Sequence, residues 1–332
     1  MSDTGWNVEA FRPTPEEENA MAPIDVKLKT NDVNLAVFLD LAVPANADDM
    51  FELYAHYKEA GDETEAQKWL RKAADQGHCR ALGVLGTLLD EDERLAHELK
   101  AAELGCDEAQ YNLGMWYMHY LIDDYDPEEY LPEDYARAAF WLAKSANQGN
   151  MDAQLYLGQL YLEGQGVPQD DDIAFAWIRK SAEQENVLAY YDLGMMYMNG
   201  RGVQQNDKEA AAWFLKGARL MELDATCQLG VMYLEGRGVE QNDKEGCFWI
   251  RWAAQWGNRE AQALLGEMLE LGHATPRNPE EAAEWLSKAA YEGDEDAQVR
   301  LDRLLRSGVI DLRTRNTIDL HCRAPGAGRI LH

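Results

Sequence analysis

The sequence lacks most of the features that mark an enzyme or a secreted protein. Its five cysteines are widely spaced and form no C-x-x-C pair, which favours reduced, mostly buried thiols over a disulfide framework. The motifs H-E-x-x-H, S-x-x-K and G-x-S-x-G do not occur, so the common zinc and nucleophile sites are missing. We therefore expect no catalytic residue, no metal and no cofactor.

Positive charge and long apolar runs are also scarce. The chain has 31 Lys and Arg against 60 Asp and Glu, a net charge of −29, which repels nucleic acid and anionic lipid. The acidic start has no basic segment followed by an apolar one, so we expect no secretory signal. The longest apolar run near it, 33–43, is too short to span a bilayer. These absences predict a cytoplasmic protein whose acidity either steers a basic protein partner or only maintains solubility.

The motif G-x-G-V occurs three times, beginning at Gly164, Gly200 and Gly236 with a spacing of 36 residues. A phosphate-binding loop follows a strand, whereas each of these motifs follows apolar residues at i, i+3, i+4 and i+7, as in a helix. We interpret the motif as a turn between helices. The first glycine is expected to end a helix in the left-handed conformation, and the second to let the chain reverse. The Asp or Asn that follows is expected to cap the next helix.

The same period appears on both sides of the turn. Leu-Gly pairs recur from Leu85 to Gly266, and tryptophans recur on the partner segment, usually followed by Lys-Ala-Ala or a close variant. Such units are helix–turn–helix repeats that bury their apolar faces by stacking. Repeat two is predicted to have lost its inter-helix loop, and repeat three to carry a long acidic one at 120–135. The tryptophans are Trp69, Trp141, Trp177, Trp213, Trp249 and Trp285.

The combined pattern, A-x-x-x-L-G-x-x-Y-x-x-G-x-G-V and then A-x-x-W-x-x-K-A-A-x-x-G, resembles the Sel-one-like repeat (SLR) family, a relative of the tetratricopeptide repeat. The resemblance implies an all-α fold, a right-handed α/α superhelical solenoid of about seven helix–turn–helix repeats plus a terminal capping helix, at 47–306. It also implies a role in protein–protein interaction, because proteins of this family are rarely enzymes. The flanking segments are 1–46, with a capping helix predicted at 33–43, and 307–332, a basic tail expected to be flexible. Some secreted relatives carry a cysteine pair in each repeat and are linked to penicillin binding; these pairs are missing here.

By resemblance to tetratricopeptide arrays, one stripe of each first helix is expected to line a concave groove. Counted from the repeat's alanine, the stripe comprises positions 3, 7 and 10. It turns charged at its C-terminal end, with Glu267, Glu270, Arg303 and Arg306. The alternative is that these side chains pack inside a tightly wound superhelix. The apolar part consists of Tyr111, Met115, Met118, Leu155, Gln159, Leu162, Tyr191, Met195, Met198, Cys227, Val231 and Leu234.

The long loop of repeat three is a second candidate binding surface, because it interleaves tyrosines with carboxylates. A basic partner suits this composition; the alternative is a solvated loop whose tyrosines cover the neighbouring turn. No D-x-D-x-D-G pattern supports calcium binding there. The residues are Asp123, Asp124, Tyr125, Asp126, Glu128, Glu129 and Tyr130.

These features predict a non-enzymatic adaptor or scaffold that binds a protein partner on its concave face. The partner is expected to be basic or to carry an amphipathic helix, and the oligomeric state stays open. The alternative is a cytoplasmic immunity or inhibitor protein that neutralises a basic toxin or effector enzyme by direct binding. A third class, an enzyme, could use only side chains brought together across repeats, such as His119 and Glu163, both expected at exposed helix ends.

Overall fold

A computed structural model describes residues 46–86, 91–119 and 132–310, which form fifteen α-helices and no strand. The predicted capping helix at 33–43, the acidic-loop residues Asp123 to Tyr130 and most of the C-terminal tail lie outside these ranges. Residues 132–135 were expected to end the acidic loop. They instead form the first turn of a helix, which begins at Pro132 because proline suits the first helical position.

The helices form consecutive pairs. In chain order they are α1 (Ala47–Glu59), α2 (Glu63–Asp75), α3 (Cys79–Gly86), α4 (Glu91–Glu103), α5 (Asp107–His119), α6 (Pro132–Asn147), α7 (Met151–Glu163), α8 (Asp171–Glu183), α9 (Val187–Asn199), α10 (Asp207–Arg219), α11 (Leu223–Glu235), α12 (Asp243–Gln255), α13 (Arg259–Leu271), α14 (Pro279–Tyr291) and α15 (Glu295–Ser307). Odd-numbered helices are the first helices of their repeats, and even-numbered ones are the second helices.

The chain divides into two compact units, Met1–Gln76 and Gly77–His332. In the first unit, α1 packs against α2. In the second unit, each helix packs against the next one, and first helices of neighbouring repeats also touch, as α9 touches α11 and α13 touches α15. This order of contacts is that of a solenoid of stacked helix pairs. No helix in the described ranges combines the length and the apolar composition that a membrane span requires.

Local sequence sets the helix ends. The side chains of Asp170, Asn206 and Asn242 accept hydrogen bonds from backbone N–H groups in the first turns of α8, α10 and α12, which satisfies donors that have no partner within the helix. At the other end, α7, α9 and α11 stop at a left-handed glycine, for example Gly164 with φ 69°. The roles predicted for the first glycine of the G-x-G-V turn and for the Asp or Asn that follows the turn are confirmed.

The second glycine of the turn has a role that the sequence did not indicate. A Cβ atom at Gly202 would overlap the Asp171 carbonyl oxygen at the start of α8 in the preceding repeat, and Gly238 meets Asp207 in the same way. Between the two glycines, the Arg201 guanidinium donates to both carboxylate oxygens of Asp171, at 2.7 and 3.1 Å. The turn therefore joins two repeats as well as reversing the chain.

The Leu-Gly pairs lie in the core. The leucines are fully buried, for example Leu193 and Leu229, and the glycines let the second helix approach closely. A Cβ at Gly158 would lie 2.5 Å from Ile178 Cγ1 of the second helix. The core is thus built from close approach of the two helices within each repeat, with alanines such as Ala182 buried beside them.

Candidate partner-binding surface

The predicted stripe is largely half-buried rather than fully open. Leu155 and Cys227 depart most from the expectation, because they are 1% and 0% exposed. Leu155 packs in a core cluster with Ala174 and Ile178 of α8 and Leu193 of α9, so its side chain is not accessible to a partner. These two positions belong to the packing between repeats, which was the alternative interpretation of the stripe.

The two tyrosines of the stripe pack differently: Tyr111 contacts the following repeat, and Tyr191 contacts the second helix of its own repeat. The Tyr111 ring centroid lies 6.2 Å from that of Tyr156 on α7, and the Tyr191 centroid lies 6.1 Å from that of Phe214 on α10. Burial, followed by the charges of Tyr156 and Asp152, raises the pKa of Tyr111 to about 12. Both side chains therefore stay neutral phenols. Each is half-buried, with one part of the ring in the core and another part at the surface.

The methionines of repeat five occupy a similar position. Met195 and Met198 are half-buried and pack against the cluster that contains Phe214, Leu229 and Met232. Each therefore contributes to the contact between repeats while keeping part of its side chain at the surface. An unbranched thioether side chain suits such an irregular boundary.

The polar member of the stripe, Gln159, is held by the next repeat. Its Nε2 donates to Asp192 Oδ2 at 2.7 Å. Burial raises the pKa of Asp192 above its ordinary value, the Gln159 hydrogen bond opposes that shift, and the charges of Glu163 and Asp224 add to it. Position 7 of one repeat thus faces position 4 of the next, a pairing that depends on the rotation between repeats.

Carboxylates therefore surround the middle of the stripe, and the sequence analysis did not identify them. Glu222 caps α11 by accepting from the backbone N–H groups of Asp224 and Ala225, and burial, ahead of all other causes, raises its pKa. The pKa of Tyr191 is raised to about 12 by burial first and then by Glu260, Asp224, Asp192 and Glu222. In the sequence, these carboxylates could have been found from their repeat positions. Asp192 is at position 4 of its repeat, and the other acidic residues come just before the repeat alanine.

The charged end of the stripe is engaged in internal ion pairs. Arg300 of α15 donates to Glu270 Oε2 at 3.2 Å and to Glu267 Oε1 at 2.5 Å, and Arg303 donates to Glu270 Oε1 at 2.8 Å. Glu270 is buried, and both of its carboxylate oxygens are hydrogen bonded in this network. These charges fasten the last helix to α13.

An open apolar cleft lies between the first helices of repeats six and seven. It has a volume of about 270 Å³ and includes Val231 and Leu234 of the predicted stripe. Leu271, at the far end of α13, is 61% exposed. The cleft is lined by Val231, Leu234, Glu235, Leu264, Glu267, Met268, Leu271 and His273. The arrangement can receive an apolar side chain beside carboxylates.

Two further residues, His119 and Glu163, were candidates for an enzyme site. His119 ends α5 and the exposed Glu163 ends α7. Among the described residues, no group of three or more His, Cys, Asp and Glu side chains is placed to hold a metal ion.

Comparisons with known proteins agree with this architecture. The Sel1 repeat family model matches residues 54–78, 107–150, 152–186, 187–220, 223–257 and 259–294. The crystal structure of c5321, a protective antigen present in uropathogenic Escherichia coli strains displaying an SLR fold, is 30% identical with a TM-score of 0.65. The match covers 87% of this chain and 63% of c5321, so this chain spans less than two thirds of that protein.

Two further structures extend the comparison. A Sel1 repeat protein from Oxalobacter formigenes is 26% identical, with a TM-score of 0.62, over 72% of this chain and 96% of that one. Immunity protein Pa5087 from Pseudomonas aeruginosa is 20% identical, with a TM-score of 0.44, over 65% and 80%, a likeness of fold alone. No curated protein matches the chain. The repeated helix pairs, the six matched segments and the SLR-fold relatives lead to one conclusion: the chain belongs to the Sel1 repeat family, generally a non-enzymatic interaction scaffold.

Proposed function

We propose that the protein is a non-enzymatic adaptor or scaffold that binds a protein partner through the face formed by its first helices. The observation that carries this proposal is the cleft of about 270 Å³ between α11 and α13, with Val231, Leu234 and Leu264 in its lining. An apolar cleft of this kind suits one anchoring side chain of an amphipathic helix. The family supplies the general role, since the Sel1 repeat is a protein-interaction fold.

The charges near this face indicate which residues of the partner should flank its apolar anchoring side chain. Glu235 and Glu267 line the cleft. Farther along the first helices, the charge of Asp224 adds to the burial that raises the pKa of Asp192 and that of Glu222. With a net charge of −29, the protein would attract a basic partner over long range and repel an acidic one. A basic amphipathic helix fits both features.

The test is affinity capture from a lysate of the native organism, with partners identified by mass spectrometry. Leu271→Glu places a charge at the exposed end of the cleft, and Leu188→Glu is the matched control because Leu188 is an exposed apolar residue on α9, 56% accessible. We expect one stoichiometric partner that Leu271→Glu loses and Leu188→Glu keeps. A partner that both variants keep would place the site elsewhere, and no specific partner at all would contradict the interaction role.

A second candidate function is an immunity or inhibitor protein for a basic toxin or effector enzyme. The acidic surface favours it, because tight inhibitors often meet a basic active site with complementary charge. The captured partner distinguishes the two functions. A basic enzyme whose activity falls to zero at one equivalent of this protein would support inhibition, whereas a partner that stays active would support the adaptor.

A further inference from the structure

A continuous aromatic face lies on the second helix of repeat six. Phe248, Trp252 and Trp256 are spaced four residues apart along α12 and at its C-cap, and the centroids of successive rings are 6.2 Å apart. Phe248 is 40% exposed and Trp256 is 57% exposed. We call these three residues the aromatic face. It belongs to a second helix, whereas the cleft described above lies between first helices.

Other repeats have a lysine where repeat six has Trp252. In each, the lysine follows the repeat tryptophan by three residues and holds its ammonium over an aromatic ring. The distances from Nζ to the ring centroid are 4.1 Å for Lys72 and Trp69, 4.6 Å for Lys144 and Trp141, 4.1 Å for Lys180 and Trp177, 3.7 Å for Lys216 and Trp213, and 3.9 Å for Lys288 and Trp285. No described Lys or Arg lies over Trp252 or Trp256.

Repeat three shows how such a surface holds a cation. Phe140 and Trp141 form an edge-on pair with centroids 5.0 Å apart, and Phe248 and Trp249 form the same pair at 5.2 Å. In repeat three, Lys144 Nζ lies 4.5 Å from the Phe140 centroid as well as near Trp141. Repeat six keeps the aromatic pair, lacks this lysine and adds two further rings.

The position of Trp256 has also changed from its role in other repeats. Gln148 and Gln184 occupy this position in repeats three and four, where each donates to the side chain of a glutamine on its own first helix. In repeat six that first-helix residue is Thr226, whose hydroxyl instead donates to the Glu222 carbonyl. Trp256 therefore has no amide partner to bind, and its indole ring stands at the surface.

We propose that the aromatic face binds Arg or Lys side chains from a segment of a partner protein, as cations stacked on the Trp252 and Trp256 rings. The charge of the molecule favours this occupant, because an exposed aromatic ring attracts a cation and the net charge is −29. In repeat seven, the positions that correspond to Phe248 and Trp256 are the exposed carboxylates Glu284 and Glu292. The flanking lysines, Lys216 and Lys288, already lie over their own tryptophans.

The experiment titrates the full chain with N-acetyl tetra-arginine amide at physiological salt, measuring affinity by calorimetry and the indole N–H signals by NMR. The test variant combines Trp252→Lys and Trp256→Gln, which are the residues that repeat four carries at these positions (Lys180 and Gln184), so it preserves a sequence that already folds in this array. The control is Tyr291→Lys, which adds the same charge at an exposed aromatic residue on α14.

We expect about tenfold weaker binding of the peptide by the double variant, since it loses two exposed cation–aromatic contacts that each contribute about threefold to the affinity. The Tyr291→Lys control should change the affinity less than about twofold, and the Trp252 and Trp256 signals should shift most in the wild-type chain. Equal affinity of the double variant and the control would mean that net charge alone binds the peptide, and would overturn the proposal. A change of oligomeric state in the double variant, without a change in peptide affinity, would assign the face to a second copy instead. Either result leaves the cleft test with Leu271→Glu unaffected, since that test concerns different residues.

Discussion

The side chain of Gln262 contains a buried polar atom without a partner, because the residue opposite it differs from the one in other repeats. Its Oε1 is buried and accepts no hydrogen bond. The corresponding atoms of Gln110 and Gln154 each accept from a second-helix glutamine, Gln148 or Gln184, at 2.8 Å. In repeat seven the corresponding second-helix residue is Glu292, and an ionised carboxylate has no proton to donate.

We predict that Glu292→Gln stabilises the protein. The new amide can donate to Gln262 Oε1, and a hydrogen bond to a buried, previously unpaired acceptor contributes about 0.5–1.5 kcal/mol. The measurement is the urea midpoint at neutral pH. The matched control is Gln184→Glu, which removes the same bond from repeat four and should lower the midpoint by a similar amount. A lower midpoint for Gln184→Glu with no change for Glu292→Gln would show that the geometry of repeat four does not transfer to repeat seven.

Asp192 gives the protein a residue-level dependence on pH. Its pKa is raised above 3.8, mainly by burial, so the folded state binds its proton more readily than the unfolded state. A raised carboxyl pKa destabilises the folded state once the group is ionised, and the cost disappears as the pH falls through the raised value to below 3.8.

We predict that Asp192→Asn raises the urea midpoint at neutral pH, because the amide oxygen can still accept from Gln159 without carrying charge beside Glu163 and Asp224. The difference from the wild type should shrink as the pH approaches 3.8, the ordinary pKa of the group. Asp296→Asn is the control, since Asp296 is exposed on α15. A gain that is the same at every pH would contradict the role of the buried charge.

At the scale of the element, the G-x-G turn separates what local sequence predicts from what it does not. The left-handed first glycine and the Asn cap follow from short-range rules, so they could be read from the chain. The close approach of Gly202 to Asp171 could not, because it depends on how far one repeat rotates against the last. Leu155 was misplaced for the same reason: its stripe position is local, but its burial against α8 and α9 is set by stacking.

We predict that the two glycines of one turn respond differently to the same change. Gly200→Ala places a side chain at φ 67° and should cost about 1 kcal/mol of unfolding free energy, the usual penalty for a left-handed residue. Gly202→Ala has the same strain at φ 63° and adds overlap with the Asp171 carbonyl, so it should cost about 3 kcal/mol. Thermal and urea unfolding of the two variants measure the difference. Equal losses would show that the neighbouring repeat moves aside.

Across the whole molecule, the excess of acidic residues works against the folded state. The exposed ion pairs, such as Arg179 with Glu183, contribute little to stability, while the remaining carboxylates repel one another over distances comparable to the screening length. The family and the repeated pairs were predictable because the period recurs in sequence. The acidic surroundings of Tyr191 were not, because they join residues from α9, α11 and α13.

We predict that the urea midpoint rises when NaCl increases from about 0.01 M to about 0.1 M, which shortens the screening length from about 30 Å to about 10 Å. Sucrose at matched osmolality is the control, because it leaves charge interactions unscreened. A midpoint that falls with salt would mean that the ion pairs outweigh the repulsion.

The ties between repeats also bear on how the chain folds during synthesis. Arg201 reaches back to Asp171 over 30 residues, Asn258 to Asp224 over 34, and Arg201 to the Leu162 carbonyl over 39. Both Arg201 and Asn258 therefore find their hydrogen-bond partners in the segment that is synthesised just before them. The growing chain can therefore consolidate one helix pair at a time behind the ribosome, without waiting for its C-terminal end.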